Sequence, residues 1–373
     1  MHQRAKQKGF TLLELLVSMA ITLTVLAAAM MLYQKSVQVA NFATSRAETQ
    51  SELRSAMNQI TRDLNQAGTG IPLGGIPIPS AAASGTNPVF ACDAARCYIT
   101  TGNTFTTGTL NKVTPANGTG LTTLEATDAI VMLYMDPIAP TNDPTSSATG
   151  LDWSPYTTTT IADDGSSLTM PSGTTPALND PQKGLIVGDL LLMQNDKGSA
   201  LGVVTGFDAA SRTISFAAAD PLKFNQPAAA PISGTLASLR IFPLPASGPH
   251  YKPTSVSRIM MITYFIWRDT NDGHLMLMRQ VNARTPSPVA ENIEDLQITY
   301  DVLDDSKSPA VLTANLPDAA IGSPATPHPN QIRKINLVLT ARSIRPNAQG
   351  AIERMSIATS VGPRNLSFRD RYN

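Results

Sequence analysis

The chain has 373 residues with Lys plus Arg and Asp plus Glu both at 28, so no global charge marks it as a nucleic-acid or membrane-surface binder. Only 15% of the residues are charged, and Gly, Pro, Ser, Thr and Ala are abundant, which argues against a helical cytosolic enzyme and for a β-rich exported domain with long loops. The length is ample to bury a core of one large or two modest domains.

The chain opens with a short basic leader, Arg4, Lys6 and Lys8, that ends at Gly9. From Phe10 to Tyr33 the residues are almost wholly apolar. As a helix this stretch spans about 36 Å, enough to cross a hydrocarbon core of about 30 Å. The leader's charge holds its end in the cytoplasm and the rest of the chain is exported. Glu14 stands out, because a carboxylate within an apolar span costs about 3 kcal/mol and calls for a cationic partner. Two plainer readings are a secretory signal cleaved near Ala27-Ala28-Ala29 and a simple single-span anchor. The apolar run is long for a signal, and neither reading gives Glu14 a purpose.

The run Lys8-Gly9-Phe10-Thr11-Leu12-Leu13-Glu14-Leu15-Leu16 resembles the processing site of type IV prepilins. The resemblance implies that a membrane peptidase cuts between Gly9 and Phe10 and methylates the new N-terminus. It also implies that Glu14 pairs with the N-terminal amine of a neighbouring subunit. The implied fold class is α+β: a long N-terminal helix, transmembrane then amphipathic, packed on an antiparallel β-rich head with loop insertions. The implied domains are a leader over 1–9, a spine helix over 10–67 with its membrane part at 10–33, and a head over 68–373.

No proline precedes Pro72 and no glycine lies between Gly9 and Gly68, so nothing breaks a helix over 10–67. Beyond Tyr33, Leu53, Met57, Ile60, Leu64 and Ala67 form one apolar stripe that should pack on the head. Arg46, Glu48, Glu52, Arg54, Arg62 and Asp63 are assigned to the other faces. Many major pilins carry a kinking proline about twenty residues into the mature chain; here Ala28, Ala29, Met30 and Met31 occupy that neighbourhood, which favours a minor pilin.

Gly68 to Pro88 reads as a linker or extended loop, and the Thr/Ser/Pro-rich tracts at 136–164 and 170–181 as loops. Strands are expected at 129–135, 185–193, 200–206 and 213–217, the last three as a small meander. Further strands are expected at 238–243, 258–267, 274–281, 293–302, 332–342 and 352–361. Asp269 to Gly273 reads as a hairpin turn rather than a calcium loop, as does Asp163-Asp164-Gly165. The order of Tyr264-Phe265, Leu277-Met278-Arg279, Val289 to Tyr300, Ile332 to Arg342 and Pro363 to Leu366 is similar to the C-terminal half of PilW-type minor pilins.

Cys92 and Cys97, the only cysteines, are close enough for a loop disulfide in an oxidising compartment, and no other Cys or His lies nearby to complete a zinc site. His250, His274 and His328 sit among loop residues without a catalytic signature. The tail, with Arg364, Phe368, Arg369, Arg371 and Tyr372, reads as a charged end rather than a nucleic-acid patch.

The expectation is a non-enzymatic minor pilin without cofactor or metal, held in the inner membrane with its head in the periplasm and then built into the pilus near its tip. Its expected partners are the prepilin peptidase, other minor pilins, the major pilin and the inner-membrane assembly platform. A type II secretion pseudopilin and a tethered adhesin or enzyme are the alternatives.

Overall fold

The computed structural model describes residues 11–99, 102–105, 108–116, 127–136, 160–170, 177–181, 183–228, 230–240, 254–269, 273–304, 307–321, 327–347 and 350–366. Gly9 and Phe10, His250 and the tail residues Phe368, Arg369, Arg371 and Tyr372 lie outside them.

One helix, α1, runs unbroken over Leu12–Gln66. It is followed by β1 (Ile76–Pro77), the short helix α2 (Ala81–Ser84), β2 (Thr109–Leu110), β3 (Val113–Ala116), β4 (Ala129–Met135), β5 (Thr160–Ile161) and β6 (Ser167–Thr169). Then come β7 (Leu190–Asn195), β8 (Gly198–Val203), β9 (Gly206–Asp208), β10 (Thr213–Ser215), β11 (Ser255–Arg268) and β12 (Leu275–Val281). The last strands are β13 (Ser287–Glu291), β14 (Ile293–Asp304), β15 (Val311–Pro317), β16 (Ile332–Arg342) and β17 (Arg354–Val361). The result is an α+β protein: a long apolar helix followed by antiparallel sheets.

The largest sheet has seven strands in the order β13-β12-β11-β4-β3, with β7 also pairing β11 and β8 pairing β7. A four-stranded sheet runs β15-β14-β16-β17, another runs β5-β6-β10-β9, and β1 pairs β2 alone. The long strand β11 is central because its 14 residues bridge three partners, pairing β4, β7 and β12 in turn.

The chain divides into two compact units, one of Met1–Ser51 with Arg342–Met355 and one of Glu52–Ala341 with Ser356–Asn373. In the first, Arg46 Nε lies 3.7 Å from Glu353 Oε2, and the Ser343 N–H donates to the Glu353 carbonyl at 2.8 Å. In the second, the stripe Leu53, Met57, Ile60, Leu64 and Ala67 is buried as its spacing requires. Alternate residues of the seven-stranded sheet, among them Val131, Leu133, Met261 and Phe265, enter a cluster with Ile71, Ile76, Ile78, Phe90, Phe105, Leu110 and Phe224. The Phe90, Phe105 and Phe224 rings lie 5.4 and 6.0 Å apart in sequence.

Several expectations need correction. Gly68 to Pro88 is no free linker, because Ile71, Ile76 and Ile78 are buried in that cluster and β1 and α2 lie within it. Residues 185–189 form a turn rather than a strand: the Asp189 carboxylate accepts the Ile186 N–H at 3.0 Å, and Gly188 supplies φ +92°. The expected meander is divided, since β7 and β8 join the seven-stranded sheet while β10 pairs with β6 and β9 in another. Leu236–Leu239 is a short 3-10 turn where a strand was expected, and 241–250 lies outside the described residues. Asp63, assigned to a face other than the apolar stripe, is buried with it.

Candidate assembly site

The start of α1 is built by a reciprocal pair. The Thr11 N–H and hydroxyl donate to Glu14 Oε2 at 2.9 and 3.0 Å, and the Glu14 N–H donates back to Thr11 Oγ1 at 3.3 Å. This is the capping box, in which an N-cap hydroxyl and a carboxylate three residues on satisfy each other's orphan amides. The Thr-x-x-Glu spacing in the sequence carries that signal, and Glu14 thus has a local role beside the cationic partner its charge calls for. The box fixes the carboxylate near the helix start, where the macrodipole favours negative charge.

Behind it the helix shows an apolar surface all round: Leu12, Leu13, Met19, Ile21, Leu23, Met31, Leu32 and Tyr33 are all more than half exposed. Its most apolar 18-residue stretch has a mean hydropathy of 2.4, long and apolar enough to cross a membrane. The polar residues within it are satisfied inside the helix, as hydrocarbon requires. Ser18, Thr22 and Thr24 donate their hydroxyls to the carbonyls of Leu15, Ser18 and Ile21 at 2.7–2.8 Å.

At its other end the helix is pinned by charge. The Asp63 Oδ2 accepts the Tyr264 hydroxyl at 2.8 Å and Arg279 Nε at 2.7 Å, tying α1 to adjacent strands β11 and β12. Burial and the Asp63 carboxylate push the Tyr264 phenol well up, so it stays a donor. For Arg279, burial works against the charge but the bond to Asp63 and its charge outweigh it and raise the guanidinium. Sequence spacing alone gave no sign of this triad, whose members are 201 and 216 positions apart. Asn365 ties down the turn after the helix: Lys112 Nζ donates to the Asn365 carbonyl at 2.9 Å, and Asn365 Nδ2 donates to Thr69 Oγ1 at 2.7 Å.

A second ionic network holds the turn before β7. Arg258 Nε donates to Asp136 Oδ2 at 2.7 Å and its Nη1 to the Gly184 carbonyl at 2.8 Å, while Asp189 pairs with Arg284 and lies 3.5 Å from Arg258 Nη1. These partners are a structural clamp, since every charge within it is matched.

Cys92 and Cys97 are bonded, as expected. Their loop is further fixed by Asp93, which accepts the N–H groups of Ala95 and Arg96 and the Tyr98 hydroxyl at 2.8–2.9 Å. His274 and His328 are exposed. Among the described residues no group of three His, Cys, Asp or Glu side chains is placed to hold a metal ion. At the facing ends of β11 and β12 the Asp269 N–H donates to the His274 carbonyl at 2.8 Å and the Gly273 N–H to the Asp269 carbonyl at 2.9 Å, while 270–272 of the expected turn lie outside the described residues.

Comparison with known proteins agrees with this geometry at the N-terminus. Residues 4–30 match the family model of the prokaryotic N-terminal methylation motif, a stretch that includes the basic residues of the leader, Gly9, Phe10 and Glu14. No curated protein and no solved structure matches the chain. The motif, the apolar helix and the antiparallel sheets behind it support a type IV prepilin-like protein, of the pilin or pseudopilin type, anchored through its N-terminal helix.

Proposed function

We propose that this protein is a minor type IV pilin, a structural subunit that primes pilus assembly and sits at or near the filament tip. The observation that carries the reading is Glu14, the acidic residue of the apolar stretch 10–33, held by Thr11 at the start of a helix whose flanks are exposed and apolar. Such a surface needs lipid or other apolar helices around it.

In the proposed sequence, the leader keeps Gly9 and Phe10 on the cytoplasmic side until the prepilin peptidase cuts between them and methylates Phe10. The head stays in the periplasm. The Glu14 carboxylate then meets the N-terminal amine of a neighbouring subunit, and in low dielectric that match discriminates correct from incorrect register. Within the capping box both bonds go to Oε2, so capping and pairing are compatible. The helix then leaves the bilayer for the filament core, on the inner-membrane assembly platform and beside other minor pilins and the major pilin. The unbroken helix Leu12–Gln66 suits a subunit that does not bend within the filament body, and the order of strands suits the PilW type. No catalytic step is assigned to it, and the Cys92–Cys97 bond serves the head.

The test is Glu14→Ala in a strain otherwise lacking the gene, read by mature mass, sheared surface pili and secreted protein. The expected result is normal processing, failed incorporation and few pili with secretion intact. Normal incorporation would overturn the pairing. Lost secretion with intact pili would make the protein a type II secretion pseudopilin, and no change in either would bring forward a tethered adhesin or enzyme.

A further inference from the structure

An exposed strand edge presents a row of unpaired N–H and C=O groups, and proteins blunt such edges with proline, charge, shortness or cover. Most edges in this head follow the rule. Strand β13 carries Pro288 and Glu291, β3 carries Pro115, β5 has two residues, and β9 has three and ends at Asp208. The outer edge of β8 is covered: Asn225 accepts the Val203 N–H at 2.9 Å and donates to the Val203 carbonyl at 2.7 Å, and the Leu201 N–H reaches the Gly234 carbonyl.

The sheet β15-β14-β16-β17 departs from it at β17 and over the first part of β15. Strand β15, Val-Leu-Thr-Ala-Asn-Leu-Pro, has no charged side chain and its proline comes only at the last position, and a bulge at Ala314–Asn315 opposite Asp301, with Asn315 at φ +55°, leaves Val311 to Thr313 as its regular edge. All of its residues are exposed except Leu316, which is half-buried, and Leu312 is 61% exposed. Strand β17 carries no charge after Arg354. Among the described residues no strand pairs with the outer edge of either.

The directions of these two edges decide what can meet. Strand β15 is antiparallel to β14, and β14 to β16. Side-chain contacts Thr340–Ser356 and Asn336–Ser360 advance in opposite directions along β16 and β17, so this pair is antiparallel too. An even number of alternating strands leaves β15 and β17 running oppositely. Two copies standing side by side in one orientation therefore bring β15 of one against β17 of the next as an antiparallel pair, through the regular stretch Val311 to Thr313 before the β15 bulge and with no like charges opposed.

We propose that β15 of one copy pairs with β17 of a second copy of this chain in the same orientation, extending the four-stranded sheet across the contact. The contact is head-to-tail, so each copy keeps one free edge and a row can grow until it closes or a different subunit ends it. Main-chain bonds supply the affinity, and Val311 and Leu312 lose the water they now face. Pairing of β15 with itself is the competing arrangement, and the cross-linking experiment separates the two.

The experiment uses full-length protein in native membranes. Thr313→Cys and Ala358→Cys variants carry different tags and are expressed singly and together, then treated with a short bis-maleimide that tolerates a register shift. Both positions are exposed, and the native cysteines are bonded to each other. A cross-linked dimer bearing both tags, formed only in the mixture, is the expected result. Adding Ala314→Lys to the Thr313→Cys copy should abolish that band while the circular dichroism stays unchanged, and retention of the band would overturn the proposal. Cross-linking of Thr313→Cys alone would assign β15 to itself, and no cross-link in any sample would assign the edge to another occupant or to none; both overturn the proposal. Membrane fractionation of the same samples reports the anchor separately.

Discussion

The two ends of α1 use the same kinds of side chain to opposite effect. Ile21 is 58% exposed, as are its apolar neighbours to similar degrees, whereas Ile60 and Leu64 are fully buried. What separates them is pattern, because the first stretch is apolar all round and the second carries a stripe among charges. Among the described residues nothing covers the first, and such a surface calls for lipid or other apolar helices around it. The second is held by the head, and its one buried charge, Asp63, is matched by Tyr264 and Arg279.

The sharpest way to break this contrast is Asp63→Ala. It leaves the half-buried Arg279 guanidinium without its carboxylate and should cost about 2–4 kcal/mol in urea unfolding of the full-length protein in detergent. Asp63→Asn, which keeps an acceptor for Tyr264, should cost less. A cost under about 1 kcal/mol for the alanine variant would show that the triad is incidental. Similar in size, Ile60→Ala should destabilise the head by about 2–5 kcal/mol through the cavity it leaves, while Ile21→Ala should not move head unfolding at all. Equal effects from the two would erase the distinction drawn between the ends of the helix.

The same contrast governs what could be read from sequence. The membrane run, the stripe and hairpin strands such as β11, β12, β14 and β16 declare themselves because each carries its own periodicity over seven or more residues. The layer over the seven-stranded sheet does not. Ile71, Ile76, Ile78, Phe90, Phe105 and Phe224 are single apolar residues among Gly, Pro, Thr and Ser, and only the sheet beneath assembles them into a core. Tertiary placement likewise decides Asp63, which has the sequence context of a surface charge. At the candidate assembly site Glu14 stands out in the sequence by its charge, and the Thr-x-x-Glu spacing carries the capping box as well, whose bonds the geometry then shows. Strand β15 escaped notice because nothing buries it, and an exposed uncharged edge has no period to detect.

A smaller, graded effect comes from two buried carboxyls in the head. Burial, with added repulsion from Asp318 and Asp295, raises Asp128 to about 7, against the bond from the Ile298 N–H at 2.7 Å. Burial likewise raises Asp220 to about 6, outweighing the N–H groups of Asn225, Phe224 and Leu222. Both folded values lie above the unfolded one near 4, so the folded head holds more protons between them. Stability is therefore greatest below about pH 4 as far as these two groups are concerned, and it falls as pH rises through 6 and 7, by up to about 1.4 kcal/mol per pH unit for each group. Asp128→Asn should flatten the upper part of that slope when unfolding is followed from pH 5 to 8. An unchanged slope would mean that Asp128 is already ionised at pH 5.

The smallest effect is expected at the pair Arg46 and Glu353, where the charges are 3.7 Å apart and Arg46 is 57% exposed. Water screens this contact, and ordering the arginine offsets most of the attraction, so Arg46→Ala should shift unfolding by less than about 1 kcal/mol. Its value lies in contrast with Asp63→Ala, since both remove one member of an ion pair on the same helix. Should Arg46→Ala prove the costlier of the two, the helix would owe its place to exposed charge rather than to the buried triad, and the ranking argued from burial would be reversed.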